Sequence, residues 1–171
     1  RVLPPKKVMV TGVYGLIAGA VYQRLVEAPD RYDVYGLARR RQDSDRVAKG
    51  RALEVPEGKF VLSDLSDLEE VRGAMEGMDV VVHMAADPSG RGGWESVLKS
   101  NLIGAYTVFE GCRLAGVKRV VFASSIQASS GYRREAPYVA IAEGRFGDVP
   151  DPIPMVTHEM PTRPLNIYAS S

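Results

Sequence analysis

Five short runs of branched apolar residues recur along the chain with helical patterns between them, and this alternation restricts the fold more than any other feature of the sequence. The runs cover residues 7–11, 33–38, 59–62, 79–84 and 119–123. Each is Val-rich or otherwise apolar and is bounded by charged or turn residues, as strands buried on both faces of a parallel sheet are. Between the first two, Ile17, Ala20, Val21, Leu25 and Val26 recur at helical spacing and Pro29 supplies a stop. Strand, crossover helix and strand in this order predict consecutive βαβ units, hence an α/β domain with a doubly wound, mostly parallel sheet.

Ser66 and Glu69 stand three residues apart, a capping-box spacing that predicts a helix over 67–75. Residues 94–115 carry Val97, Leu98, Ile103, Ala105, Tyr106, Phe109 and Cys112 at mixed three- and four-residue steps, which predicts one long helix ending in a left-handed cap at Gly116. Cys112 falls on the apolar stripe of that helix and reads as a core residue. From 126 to 164 the pattern decays. Pro137, Pro150, Pro152, Pro154, Pro161 and Pro164 interrupt any regular element, so this stretch reads as a long loop of the lid or binding type. Residues 1–171 form one expected domain.

Composition narrows the functional classes. With 171 residues, 45% of them hydrophobic, the chain can bury a core without disulfides or a structural metal. One cysteine and the two histidines His83 and His158 offer no zinc-type cluster, so no metal is expected, and a reducing compartment is. Lys plus Arg number 22 against 21 Asp plus Glu, and a net charge of +1 gives no broad field for nucleic acid or an anionic membrane. No apolar run reaches the roughly 18 residues of a span, and residues 1–7 lack the apolar middle of a signal peptide. A cytoplasmic protein that binds neither nucleic acid nor membrane is the expectation.

The chemistry begins after the first strand, at Thr11-Gly12-Val13-Tyr14-Gly15-Leu16-Ile17-Ala18. Gly12 permits a tight turn, Gly15 allows backbone to approach a pyrophosphate, and Ala18 satisfies the close helix-to-strand packing required at the third position. Tyr14, Leu16 and Ile17 flank Gly15 and join the expected cofactor contacts. A diphosphate would be favoured there by free N–H groups and the positive end of the helix dipole.

Further landmarks follow in order: Ser63-Asp64-Leu65 after the third strand, His83-Met84-Ala85-Ala86 ending the fourth, Asn101 in the long helix, Ala123-Ser124-Ser125 ending the fifth, and Tyr168-Ala169-Ser170-Ser171. With the glycine turn they resemble the short-chain dehydrogenase/reductase superfamily, specifically its extended branch of NAD(P)-dependent epimerases, dehydratases and sugar dehydrogenases. The resemblance implies a Rossmann-type fold. Trp94 and the stretch from Arg119 to Ser125 look most like the uronate-dehydrogenase group.

By that resemblance Asp64 would accept a hydrogen bond from the adenine amino group, Leu65 would pack beside the ring, and Ala85 and Ala86 would line the cofactor floor. His83 is left outside the site as a satisfied strand-end histidine. The second strand ends in Ala38-Arg39-Arg40-Arg41, where NAD-dependent relatives usually place an acid on the ribose 2′-hydroxyl. A guanidinium there can pair with a 2′-phosphate, which favours NADP with Arg39 as the contact and NAD as the alternative.

For catalysis the resemblance implies an alcohol/carbonyl interconversion on a sugar-like substrate. Tyr168 would exchange the hydroxyl proton, Ser125 would hold the reacting oxygen with Ser124 as the neighbouring alternative, and Asn101 would complete the catalytic set. A free tyrosine has a pKa of about 10, so such a base needs a cationic neighbour, which the family supplies four residues on, at position 172. The chain reads as the N-terminal part of a longer enzyme, without the later strands and substrate-binding part, and inactive alone. Similar proteins usually pair long helices, which makes a homodimer the expected assembly. The competing function is a non-catalytic dinucleotide sensor with the same fold.

Overall fold

The computed structural model describes residues 3–48, 53–88 and 92–171. Arg1 and Val2 of the N-terminal stretch lie outside them. Five parallel strands, β1 (Lys6–Thr11), β2 (Tyr32–Ala38), β3 (Phe60–Leu62), β4 (Val80–His83) and β5 (Arg119–Phe122), form one sheet in the order β3-β2-β1-β4-β5. The chain winds outward from β1 through β2 to β3, then crosses back to place β4 on the other side of β1. That reversal makes the carboxyl ends of β1 and β4 the topological switch point, where open α/β sheets bind ligands. Register aligns Thr11 with both Leu37 and His83, and His83 with Phe122, so the strands end in one row.

Alternation along β1 sends side chains to two cores. Met9 joins Leu37, Val81, Val71, Met75, Val108 and Cys112 on one face, while Val10 joins Val34, Val13, Ala18 and Tyr22 on the other. Helix α1 (Leu16–Val26) covers the second face; α2 (Leu68–Met75) and α4 (Gly104–Ala115) cover the first. Burying both faces explains why the strands read as continuous apolar runs rather than alternating ones. The edge strand β5 is less covered, with Val121 and Phe122 each 49% exposed.

Three expectations are corrected. The N-cap of α2 is Asp67, whose carboxylate accepts from the N–H groups of Glu69 and Glu70, each at 3.0 Å. Ser66 gives its N–H and hydroxyl to Asp64 instead, because an ionised acceptor one residue closer to the helix is the stronger cap. The long helix is not continuous: α3 (Gly93–Val97) passes into a π-helical stretch, Leu98–Ile103, before α4. Gly116 ends α4 with φ 75°, the expected left-handed cap. The loop over 126–164 carries short helical pieces, namely 3-10 turns at Ile126–Arg134 and Phe146–Asp148 and the single-turn α5 (Tyr138–Ala142). Proline stops long elements but tolerates a first helical turn, which pattern reading undercounts.

Candidate cofactor and active site

At the switch point the candidate binding element is the backbone itself. Gly12 turns with φ +69°, and a Cβ there would lie 2.8 Å from the Cα of Ala85. Its N–H donates to the carbonyl of Leu37 at 2.7 Å, and the N–H of Gly15 closes the turn on the Gly12 carbonyl at 2.7 Å. Gly15 is the N-cap of α1 but offers no side-chain cap, and no acid stands in the first turn. The leading amides of α1 therefore meet a positive helix end with no built-in anion. A cleft of about 360 Å³ opens over this corner.

The opposite wall is fastened by Thr11. Its hydroxyl accepts from the N–H groups of Met84 and Ala85, both at 3.2 Å, and lies 2.7 Å from Nδ1 of His83. With its lone pairs taken, the hydroxyl proton points to Nδ1, which fixes His83 as the neutral tautomer protonated on Nε2. Burial agrees, pushing the imidazole down to about 4. His83 is thus a strut beneath Ala85 and Ala86, both of which line the cleft.

Leu16, Ile17, Arg39, Asp64, Leu65, Ser124 and Tyr168 also line it, as do Gly12, Tyr14 and Gly15. Leu16 and Ile17 are 53% and 67% exposed, apolar side chains left at the mouth. The ring of Tyr14 turns away from solvent and packs near Phe60, with centroids 5.6 Å apart, in the second core. Asp64 accepts from Lys99 at 2.8 Å and twice from Ser66, and these bonds hold its carboxyl down to about 2. It is a fixed anion at the rim.

Two residues expected in the catalytic set stand off the lining. Ser125 accepts from the N–H of Gln127 at 3.2 Å and caps the following 3-10 turn. Asn101 sits in the π-helical stretch, where the widened turn re-aims it inward to 8% exposure. Its Oδ1 accepts from the N–H of Asp87 at 2.7 Å, while Nδ2 donates to the Asp87 carbonyl at 3.3 Å and to Oγ of Ser171 at 2.8 Å. It ties the segment after β4 to the turn that carries Tyr168. Cys112 is 2% exposed and burial pushes its thiol up to about 11, which leaves it chemically quiet.

Sequence reading missed Lys99, Ser44 and Arg46 on the cleft wall, and Arg40 of the arginine run lines it beside Arg39. Ser44 is brought there by its N–H, which donates to the Tyr14 carbonyl at 2.9 Å. No spacing rule announces that fold-back; only the run of arginines beside it was a signal.

A model of the NAD dependent epimerase/dehydratase family matches residues 8–171. The chain belongs to that family. It is 31% identical over 125 residues to the NAD-dependent glucose-6-phosphate dehydrogenase of Haloferax volcanii, covering 73% of this chain and 45% of that protein. Uronate dehydrogenase of Pseudomonas putida is 28% identical over 132 residues, covering 77% and 45%. The chain thus spans less than half the length of these relatives. Among solved structures, a mutant uronate dehydrogenase from Agrobacterium tumefaciens complexed with NAD superposes with a TM-score of 0.63 at 25% identity, covering 96% of this chain and 51% of that one. The expected family and Rossmann-type α/β architecture are both met.

Proposed function

We propose that the natural protein is an NAD(P)-dependent oxidoreductase or epimerase that acts by hydride transfer on a sugar or sugar-nucleotide-like substrate. The observation that carries this reading is the meeting of Gly12, Gly15, Ser124 and Tyr168 on one cleft although they come from opposite ends of the chain. A phenol on the same cleft as an anion-ready helix start suits proton exchange near a bound dinucleotide. The sugar class is supported by the relatives, which act on glucose 6-phosphate and uronates by name.

The residues fit the cofactor. The Gly12 turn has room for backbone alone, the α1 amides suit a diphosphate, Asp64 suits the adenine amino group, and Ala85 and Ala86 leave space at the floor. The dinucleotide, when bound, supplies the hydride acceptor or donor. Tyr168 exchanges the proton of the reacting hydroxyl. Ser124 holds the reacting oxygen from the cleft wall, and Ser125, whose bond to Gln127 uses a lone pair rather than its proton, stands next in the chain.

NADP is the preferred cofactor in this reading, with NAD as the alternative. The wall beyond β2 carries Arg39, Arg40, Ser44 and Arg46, a set of cations and a hydroxyl suited to a 2′-phosphate, and Ala38 stands where an acid would oppose it. Fluorescence titration of the natural protein with both dinucleotides tests the preference, and formation of reduced dinucleotide across a panel of aldoses, sugar phosphates, uronates and nucleotide sugars tests the class. Tighter NADP binding with turnover of at least one panel member is expected. Absence of binding to either dinucleotide would refute the reading.

A further inference from the structure

Tyr168 reaches the cleft only after the chain has left β5 and wandered through residues 126–164, and the structure shows where that excursion is closed. Both backbone groups of Arg163 are taken by the first 3-10 turn: its N–H donates to the Ala128 carbonyl at 2.8 Å, and its carbonyl accepts from the Gly131 N–H at 2.6 Å. The hydroxyl of Tyr132 donates to the Pro161 carbonyl at 2.7 Å. The Arg163 guanidinium donates to Glu135 at 3.1 Å and lies over the ring of Tyr132, 5.6 Å from its centroid. Gly131 and Tyr132 are buried, the latter 6% exposed. No side chain fits at 131, because a Cβ there would stand 2.5 Å from the Arg163 carbonyl oxygen and 2.7 Å from its Cβ.

We propose that this clasp is a positioning device for Tyr168, with Gly131 and Tyr132 as its positioning residues; the inference rests on the reading of Tyr168 as the proton-exchanging group. The clasp fixes the chain at 161–163, five residues before the tyrosine. Beyond it, the Ser171 hydroxyl donates to the Tyr168 carbonyl at 2.8 Å while accepting from Asn101. Tyr168 is therefore held from both sides, upstream by the excursion's own base and downstream by the π-helical stretch. The intervening residues do not have to hold it, which lets the outer part of the excursion vary without moving the phenol. A misplacement near 1 Å costs a reacting group about 100-fold in rate, so loosening the clasp is read as catalysis before it is read as folding.

The test is Gly131→Ala and Tyr132→Phe in the natural protein, followed by hydrogen exchange of the amides over 163–171, dinucleotide affinity, and kcat and KM for a turned-over sugar. Gly131→Ala is expected to accelerate exchange over 163–171 while β1 to β4 keep their protection. It lowers kcat about 100-fold and leaves dinucleotide Kd and sugar KM within about twofold. Tyr132→Phe removes one hydroxyl without a steric clash and gives the same pattern at about fivefold, the size of one lost hydrogen bond. Unchanged exchange over 163–171, or faster exchange with kcat intact, would overturn the proposal. Failure of the unsubstituted protein to bind any dinucleotide is a separate result: it would overturn the functional reading and the role of the clasp together, whatever the exchange showed.

Discussion

The two ends of the cleft are built on opposite plans. At the end proposed for the dinucleotide, the Gly12 turn, Ala85 and the start of α1 are consecutive with the strands that aim them, and Thr11 bonds directly to the segment after β4. At the end proposed for catalysis, Tyr168 lies between a clasp joining residues 128–135 to 161–163 and the Asn101 link to Ser171. The first end is held by the sheet, whose core closes around Met9 and Val10. The second is held by a few hydrogen bonds outside that core. A fold can thus keep cofactor geometry rigid while leaving the substrate side to segments that vary, since loops tolerate change better than buried parallel strands.

Breaking the dinucleotide end gives the largest effect. Gly12→Val puts a β-branched residue at φ +69° against the Ala85 backbone, and is expected to abolish measurable binding of either dinucleotide by titration while destabilising the fold by about 1–3 kcal/mol in denaturant unfolding. Breaking the catalytic end separates binding from rate. Tyr168→Phe should lower kcat by about a thousandfold and leave dinucleotide Kd unchanged, within the range general acid–base groups supply.

His83 sharpens the comparison through pH. Its folded-state pKa of about 4 lies below the ordinary value near 6.5, so the unfolded chain binds the extra proton first. Stability is then complete above about pH 6.5 and falls as pH drops toward 4, by up to about 3 kcal/mol at 1.36 kcal/mol per unit. Thermal unfolding across that window in the native protein and in His83→Gln should show the slope in the first and a shallower one in the second. Smallest is the cofactor preference: Arg39→Ala should weaken NADP about tenfold and leave NAD unchanged, the size of one charged hydrogen bond. Equal weakening of both would detach Arg39 from the 2′-phosphate.

The same contrast explains what the sequence made legible. Strands with apolar runs and a glycine turn at a strand end state their roles locally, so the sheet, the Gly12 turn and the Gly116 cap could be read directly. Asp67 outbid Ser66 for the α2 cap because a carboxylate accepts more strongly than a hydroxyl, a competition that the three-residue spacing does not reveal. The break in the long helix at Leu98–Ile103 is invisible to periodicity, since one inserted residue only shifts the apolar stripe. Lys99 against Asp64, Ser44 against Tyr14 and Gly131 against Arg163 join residues far apart in the chain by single bonds, and no local pattern encodes them.

The account stands on the corner formed by Gly12, Gly15 and the first amides of α1. A crystal structure of the natural protein grown with NADP tests it most directly. The diphosphate is expected on those amides, with adenine beside Asp64 and the nicotinamide toward Tyr168. A dinucleotide bound elsewhere, or an unaltered corner at saturating cofactor, would contradict the account.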